Sequence, residues 1–100
     1  MNKLTLQFAA EHPTGAGHFP GNPIIPGALL LAEVLRCIER AQGLRWVSCN
    51  VKSAKFHHPV RPGDSVEIEY ACSSLGVIDI RCEFSGSLVL SGVIRASDYA

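Results

Sequence analysis

The sequence has no surplus of either charge. Nine basic and nine acidic side chains cancel to a net charge of zero. No general electrostatic attraction to nucleic acid or to an acidic membrane surface is therefore expected. No uninterrupted apolar run approaches membrane-spanning length, so no membrane insertion is expected. The opening MNKLTLQFAA holds one lysine and too short an apolar stretch for a secretory signal. The four cysteines, Cys37, Cys49, Cys72 and Cys82, contain no C-x-x-C pair. Without a secretory context a disulfide framework is not expected, and the chain reads as cytoplasmic with reduced thiols. Three of those thiols are expected to act as small core residues. No repeat, linker or low-complexity segment is present, and G-A-G-H-F-P does not fit a phosphate-binding G-x-G-x-x-G.

What is present is apolar. Hydrophobic residues make up 47% of the chain and charged residues 18%, which is globular and too apolar for disorder. A chain of 100 residues suits one small domain spanning 1–100. A domain this short buries a limited share of its surface alone, so a partner subunit is expected.

Leu4-Thr5-Leu6-Gln7-Phe8 alternates apolar and polar, as a short strand does. Residues 11–27 are rich in proline and glycine and form a long loop of the kind that often carries function. From Ala28 to about Gln42 the residues are strong helix formers, and Gly43 supplies a stop. On this helix Glu33, Arg36, Glu39 and Arg40 fall in one stripe, while Leu30, Leu31, Val34, Leu35, Cys37, Ile38 and Ala41 cover the rest. So narrow a polar stripe predicts a nearly enclosed helix.

The wrapping follows in sequence. Residues 46–56 are long enough for a strand, residues 66–72 and 78–84 alternate, and residues 88–94 close the set. Leu75-Gly76, Ser85-Gly86 and Arg61-Pro62-Gly63-Asp64 are turn signals. Short turns imply an antiparallel sheet. The expected fold is α+β, one long central helix wrapped by a curved antiparallel sheet.

Two stretches carry a family resemblance. His18-Phe19-Pro20-Gly21-Asn22-Pro23-Ile24-Ile25-Pro26-Gly27 resembles the signature loop of the β-hydroxyacyl-acyl-carrier-protein dehydratases, the hot-dog-fold enzymes of the FabZ and FabA type. Lys52-Ser53-Ala54-Lys55-Phe56-His57-His58-Pro59-Val60-Arg61-Pro62-Gly63-Asp64 resembles their K-x-x-x-F-x-x-P-V-x-P-G-D segment. The chain is also similar to the compact dehydratase-like proteins of aryl polyene pathways. The resemblance implies a homodimer with two sites at its interface, or a heterodimer with another hot-dog subunit. It implies a (3R)-3-hydroxyacyl thioester substrate on acyl carrier protein or coenzyme A, dehydrated to the trans-2-enoyl thioester without cofactor or metal.

Residue roles carry over in the same terms. Removing the weakly acidic α proton needs a base near neutrality, and histidine has that pKa. By resemblance His18 is the base; a purely structural role in a loop stiffened by Pro20, Pro23 and Pro26 is the competing reading. Gly27, by resemblance, offers its N–H to the enolate oxygen at a helix N-terminus, where donors are unpaired. Phe19, Pro26, Ala28, Phe56, His57 and Pro59 are the expected substrate contacts.

The acid that protonates the leaving hydroxyl departs from the pattern. The family places it fourteen residues after the histidine, which is Ala32 here, and Glu33 follows one residue later. That step turns a helical side chain by about 100°. Glu33 is then either the acid, restored by a shift of the helix or a bridging water, or a solvated charge paired with Arg36. Three outcomes stay open: a dehydratase using Glu33, an acid-deficient subunit completing a heterodimer, or a chain that binds or hydrolyses acyl thioesters. His57 and His58 are expected to flank the pantetheine entrance or to be solvated, and adjacent strand positions make poor chelators. Arg36, Arg40, Arg45, Lys52, Lys55 and Arg61 form either a local basic rim for an acidic carrier protein or scattered surface charge.

Overall fold

The computed structural model describes residues 2–9, 24–43 and 45–98. Strand β1 (Asn2–Gln7) is followed by helix α1 (Gly27–Gln42) and four strands, β2 (Trp46–Phe56), β3 (Ser65–Cys72), β4 (Val77–Phe84) and β5 (Ser87–Asp98). They form one antiparallel sheet in the order β1-β3-β4-β5-β2. The last strand runs four residues beyond the 88–94 core expected from alternation, because its C-terminal half pairs with the start of β2 through Cys49↔Ala96 and Asn50↔Arg95.

Alternation decides which face each strand turns to the helix. Val66, Ile68 and Tyr70 of β3, Ile78, Ile80 and Cys82 of β4, and Leu90, Ile94 and Ala96 of β5 are buried. Glu67, Asp79, Arg81 and Arg95 between them are exposed. The helix meets this face with Leu30, Val34 and Ile38, spaced by four and each at most 2% exposed. Each such side chain contributes about 1.5–3 kcal/mol by leaving water.

The hairpins close as their turn residues require. In the β3–β4 turn Ser73 Oγ accepts the N–H groups of Leu75 and Val77, each at 3.2 Å, and Gly76 takes φ 79°. A Cβ on Gly76 would lie 2.6 Å from the carbonyl oxygen of Ala96, so both the turn and the strand beside it demand glycine there. Ser85 and Gly86 both have positive φ, the two-residue primed turn that matches strand twist.

Two expectations need correction. The helix is not enclosed: only one stripe is buried, Leu29, Leu31, Leu35 and Cys37 are half-buried, and Ala28 and Ala32 are exposed. Among the described residues a single sheet covers one side of this cylinder. Among the thiols only Cys82 is fully buried, Cys37 is half-buried, and Cys49 and Cys72 are exposed, because Cys49 lies on an edge strand and Cys72 ends β3. All four are thiols rather than disulfides. Within the described residues, no helix is long and apolar enough to cross a membrane.

Candidate active site

The two motif segments, distant in sequence, are pinned together beside the start of α1. Ile25 forms an isolated antiparallel bridge with Val60, its N–H donating to the Val60 carbonyl at 2.7 Å, and both side chains are buried. Two residues later α1 begins at Gly27. Pro26 precedes it with φ −57° and ψ 142° and offers no side-chain cap. A proline at this position fixes the backbone but supplies no side-chain acceptor. The first helical hydrogen bond is that of Leu30 N–H to the Pro26 carbonyl, 2.9 Å. The donors of Gly27, Ala28 and Leu29 precede it and have no intrahelical acceptor. They carry the positive end of the helix dipole, roughly half an elementary charge.

Of these three residues, Gly27 lines a groove of about 260 Å³, together with Ile24, Ile25, Leu30 and residues 56–60. Its walls are apolar apart from His57 and His58. The Phe56 ring stands against Gly27: a Cβ built there would lie 3.1 Å from two ring carbons. His57 follows the end of β2, and its N–H donates to the Val89 carbonyl at 2.9 Å. Its Nε2 lies 3.0 Å from Ser91 Oγ. Because β2 stops at Phe56, the two histidines lie beyond the strand, and the alternation argument against chelation does not reach them.

Thus Gly27, Phe56, His57 and Pro59 share one groove, which Ile24 and Val60 complete. Pro26 and Ala28 flank Gly27 in the chain without lining it. His18 and Phe19 lie outside the described residues. Glu33 stands six residues past Gly27, about 9 Å along the axis, and does not line the groove. Its carboxylate meets Arg36 Nη1 at 3.3 Å, the i,i+3 pair open to it from sequence, with 23% of its side chain exposed. Ala32 is exposed.

Sequence reasoning missed the groups that finish the other end of the helix. Glu39 was expected on the solvated stripe but accepts the Trp46 N–H at 2.6 Å, and Gln42 Nε2 donates to Tyr70 Oη at 2.6 Å. Neither pair has a local signal, since partners are brought together only when β2 and β3 fold back along the helix. Burial, and secondarily Cys37, pushes the Cys82 thiol up to about 12; burial, and secondarily Glu39, raises that of Cys49. Neither thiol is suited to act as a thiolate nucleophile. A larger depression, about 490 Å³, lies on the β1–β3 pair and is lined by Lys3, Leu4, Thr5, Glu67, Ile68 and Glu69. It contains no residue of either motif and no helix terminus, so the smaller groove is the candidate site.

Comparison with known proteins bears on the family and the fold. A family model described as ApeI-like, ApeI dehydratase, matches residues 2–94. The 3-hydroxyacyl-[acyl-carrier-protein] dehydratase FabZ of Latilactobacillus sakei is 41% identical over 66 residues, 59% of this chain and 47% of that protein. FabZ of Aliarcobacter butzleri is 30% identical over 105 residues, 89% of this chain and 71% of the relative. The chain spans 47% and 43% of the first two curated relatives it matches, about half their length. Among solved structures, the dehydratase heterocomplex ApeI:P of Xenorhabdus doucetiae superposes with a TM-score of 0.71 at 21% identity, covering 94% of this chain and 84% of that one. The (R)-hydratase of A. caviae gives 0.60 at 21% identity, covering 96% and 93%. These likenesses show the hot-dog fold. A five-stranded antiparallel sheet packed on one helix, two motif segments joined at that helix's N-terminus and a family model spanning nearly the whole sequence lead to one conclusion: the chain belongs to the ApeI-like family of β-hydroxyacyl-ACP-dehydratase-like hot-dog proteins.

Proposed function

We propose that this chain dehydrates a (3R)-3-hydroxyacyl thioester, carried on acyl carrier protein or coenzyme A, to the trans-2-enoyl thioester and water. The observation that carries this reading is the uncapped N-terminus of α1 opening beside an apolar groove at Gly27. An amide aimed at a thioester carbonyl stabilises the enolate oxygen as the α proton leaves. Losing one such donor typically costs about 2.7–4 kcal/mol of transition-state stabilisation. His18 takes the α proton in this reading, and the hydroxyl departs from the β carbon with a proton from an acid.

The source of that acid divides the reading in two. In the first, Glu33 supplies it after leaving Arg36, and two copies of this chain suffice. In the second, another hot-dog subunit supplies it and this chain contributes His18 and Gly27. The second is favoured by Ala32 standing exposed at the family's acid position while Glu33 is engaged by Arg36. The fold's likeness to a dehydratase heterocomplex is in keeping with it.

Either assembly has a ready seam. β2 is an 11-residue edge strand paired on one side with β5. Val51 and Phe56 on it are 49% and 48% exposed. A long edge with exposed apolar side chains invites a further strand. In this assembly the partner would also cover the open flank of α1.

The test follows enoyl-thioester absorbance with purified protein. Turnover by wild type that falls at least a hundredfold in Glu33→Gln supports the self-sufficient enzyme. No turnover by wild type, with activity gained in Ala32→Glu or on adding a second hot-dog subunit, supports the acid-deficient one. No turnover under any of these conditions rejects dehydration.

A further inference from the structure

Gly27 and Phe56 come from different motifs and meet face to face. A Cβ on Gly27 would lie 3.1 Å from Cδ1 and Cε1 and 3.2 Å from Cζ of the Phe56 ring. The ring therefore fills the space that any side chain at position 27 would need. Glycine at this position lets the ring rest where it does, and any larger residue would make the ring give way by a few tenths of an ångström.

The ring and its frame differ in how firmly they are held. On either side the backbone is pinned, by Ile25 N–H to the Val60 carbonyl and by His57 N–H to the Val89 carbonyl. Strand pairing holds Phe56 itself opposite Leu90. Phe56 is 48% exposed, whereas Leu30 and Val60 around it are at most 2% exposed. A half-exposed aromatic ring on a fixed backbone can turn about its side-chain torsions while the frame stays still, at the cost of the contact it makes at Gly27.

We propose that Phe56 is the gate of the groove and a specificity-determining residue: its ring covers Gly27 and must turn aside before a thioester carbonyl reaches the amide. This rests on the thioester reading of the site. The gate makes two demands. Residues 27 and 56 must be energetically coupled in the protein alone, and ligand association must depend on the size of residue 56.

Thermal unfolding of Gly27→Ala, Phe56→Leu and the double variant tests the first demand. In the Phe56→Leu background, Gly27→Ala should raise the midpoint by roughly 2–8 °C, the usual gain from replacing glycine in a compatible helix position. With Phe56 present that gain should vanish or reverse. Equal shifts in both backgrounds would overturn the proposal. Stopped-flow association of a non-hydrolysable acyl-pantetheine thioether tests the second. Phe56→Ala should bind about tenfold faster than wild type, since no rearrangement precedes binding, and Phe56→Trp more slowly. Binding at one rate in all three overturns the gate and leaves the thioester reading intact. Absence of binding in every variant overturns that reading and the gate with it.

Discussion

The two ends of α1 are finished in opposite ways. At the C-terminus Gly43 adopts φ 66° and ψ 25°, and its N–H donates back to the helix, at 3.1 Å to the Arg40 carbonyl. Arg40 lies in the last turn, where its charge suits the dipole. Glu39 and Gln42 then tie that end to Trp46 and Tyr70. At the N-terminus there is a proline without a capping side chain, no acidic residue in the first turn, and a groove. One end is closed by local chemistry and tertiary bonds; the other has no side-chain cap among the described residues and opens beside the groove. Such an asymmetry costs about 1 kcal/mol in forgone capping, which is tolerable where those donors have work to do on a substrate.

Substitutions at the two ends should separate activity from stability. Gly27→Pro removes the amide hydrogen at the first helical position, where proline is otherwise well accommodated. Made together with Phe56→Ala to relieve the contact at Gly27, it should lower kcat about 10²–10³-fold relative to Phe56→Ala alone. Circular dichroism should show the helix retained. Unchanged kcat would take the oxyanion role away from Gly27.

Between the two ends, the buried face makes a pH-dependent contribution through Cys82. Its folded-state pKa, about 12, lies above that of an ordinary thiol. Its contribution to stability is therefore fully present below about pH 8.5 and is lost as pH rises from there towards 12. In urea unfolding at pH 8 and pH 10.5, wild type should lose more stability than Cys82→Ala, by at most about 1.4 kcal/mol per pH unit. A parallel loss in the two proteins would mean that the thiol does not carry this dependence.

At the closed end, Gly43→Ala forces a side chain into left-handed backbone, with no atom within 4 Å of the new Cβ to clash. The cost is backbone strain alone, about 1–2 kcal/mol. It should appear as a lower thermal midpoint with kcat unaltered. The smallest effect is expected on the helix flank. Arg36→Ala breaks an exposed ion pair worth about 0–1 kcal/mol. It should hardly move the midpoint, and kcat should rise if freed Glu33 is the acid.

Much of this was legible in the residues. Alternation in 66–72 and 78–84 reports a sheet with one wet face, and the short turns with Gly76 and Gly86 leave only antiparallel pairing. The helix stop at Gly43 was equally plain. The N-terminal loop motif and the 52–64 segment pointed to one site, and the Ile25–Val60 bridge joins the described ends of both. What escaped were contacts made only as the strands fold back: the Glu39 bond to Trp46, seven residues on, and Phe56 standing on Gly27. A helical wheel places Glu39 among solvated charges because it knows the helix and not the strand that returns beside it.

By itself the sequence determined the elements, their order, the face each strand turns inward and the unusual position of Glu33, since these follow from periodicity, turn chemistry and spacing along the chain. Only the tertiary structure decided which helix flank stays open and that an aromatic ring occupies the space beside Gly27. Those outcomes depend on contacts between residues tens of positions apart, and no local pattern encodes where a distant strand will come to rest.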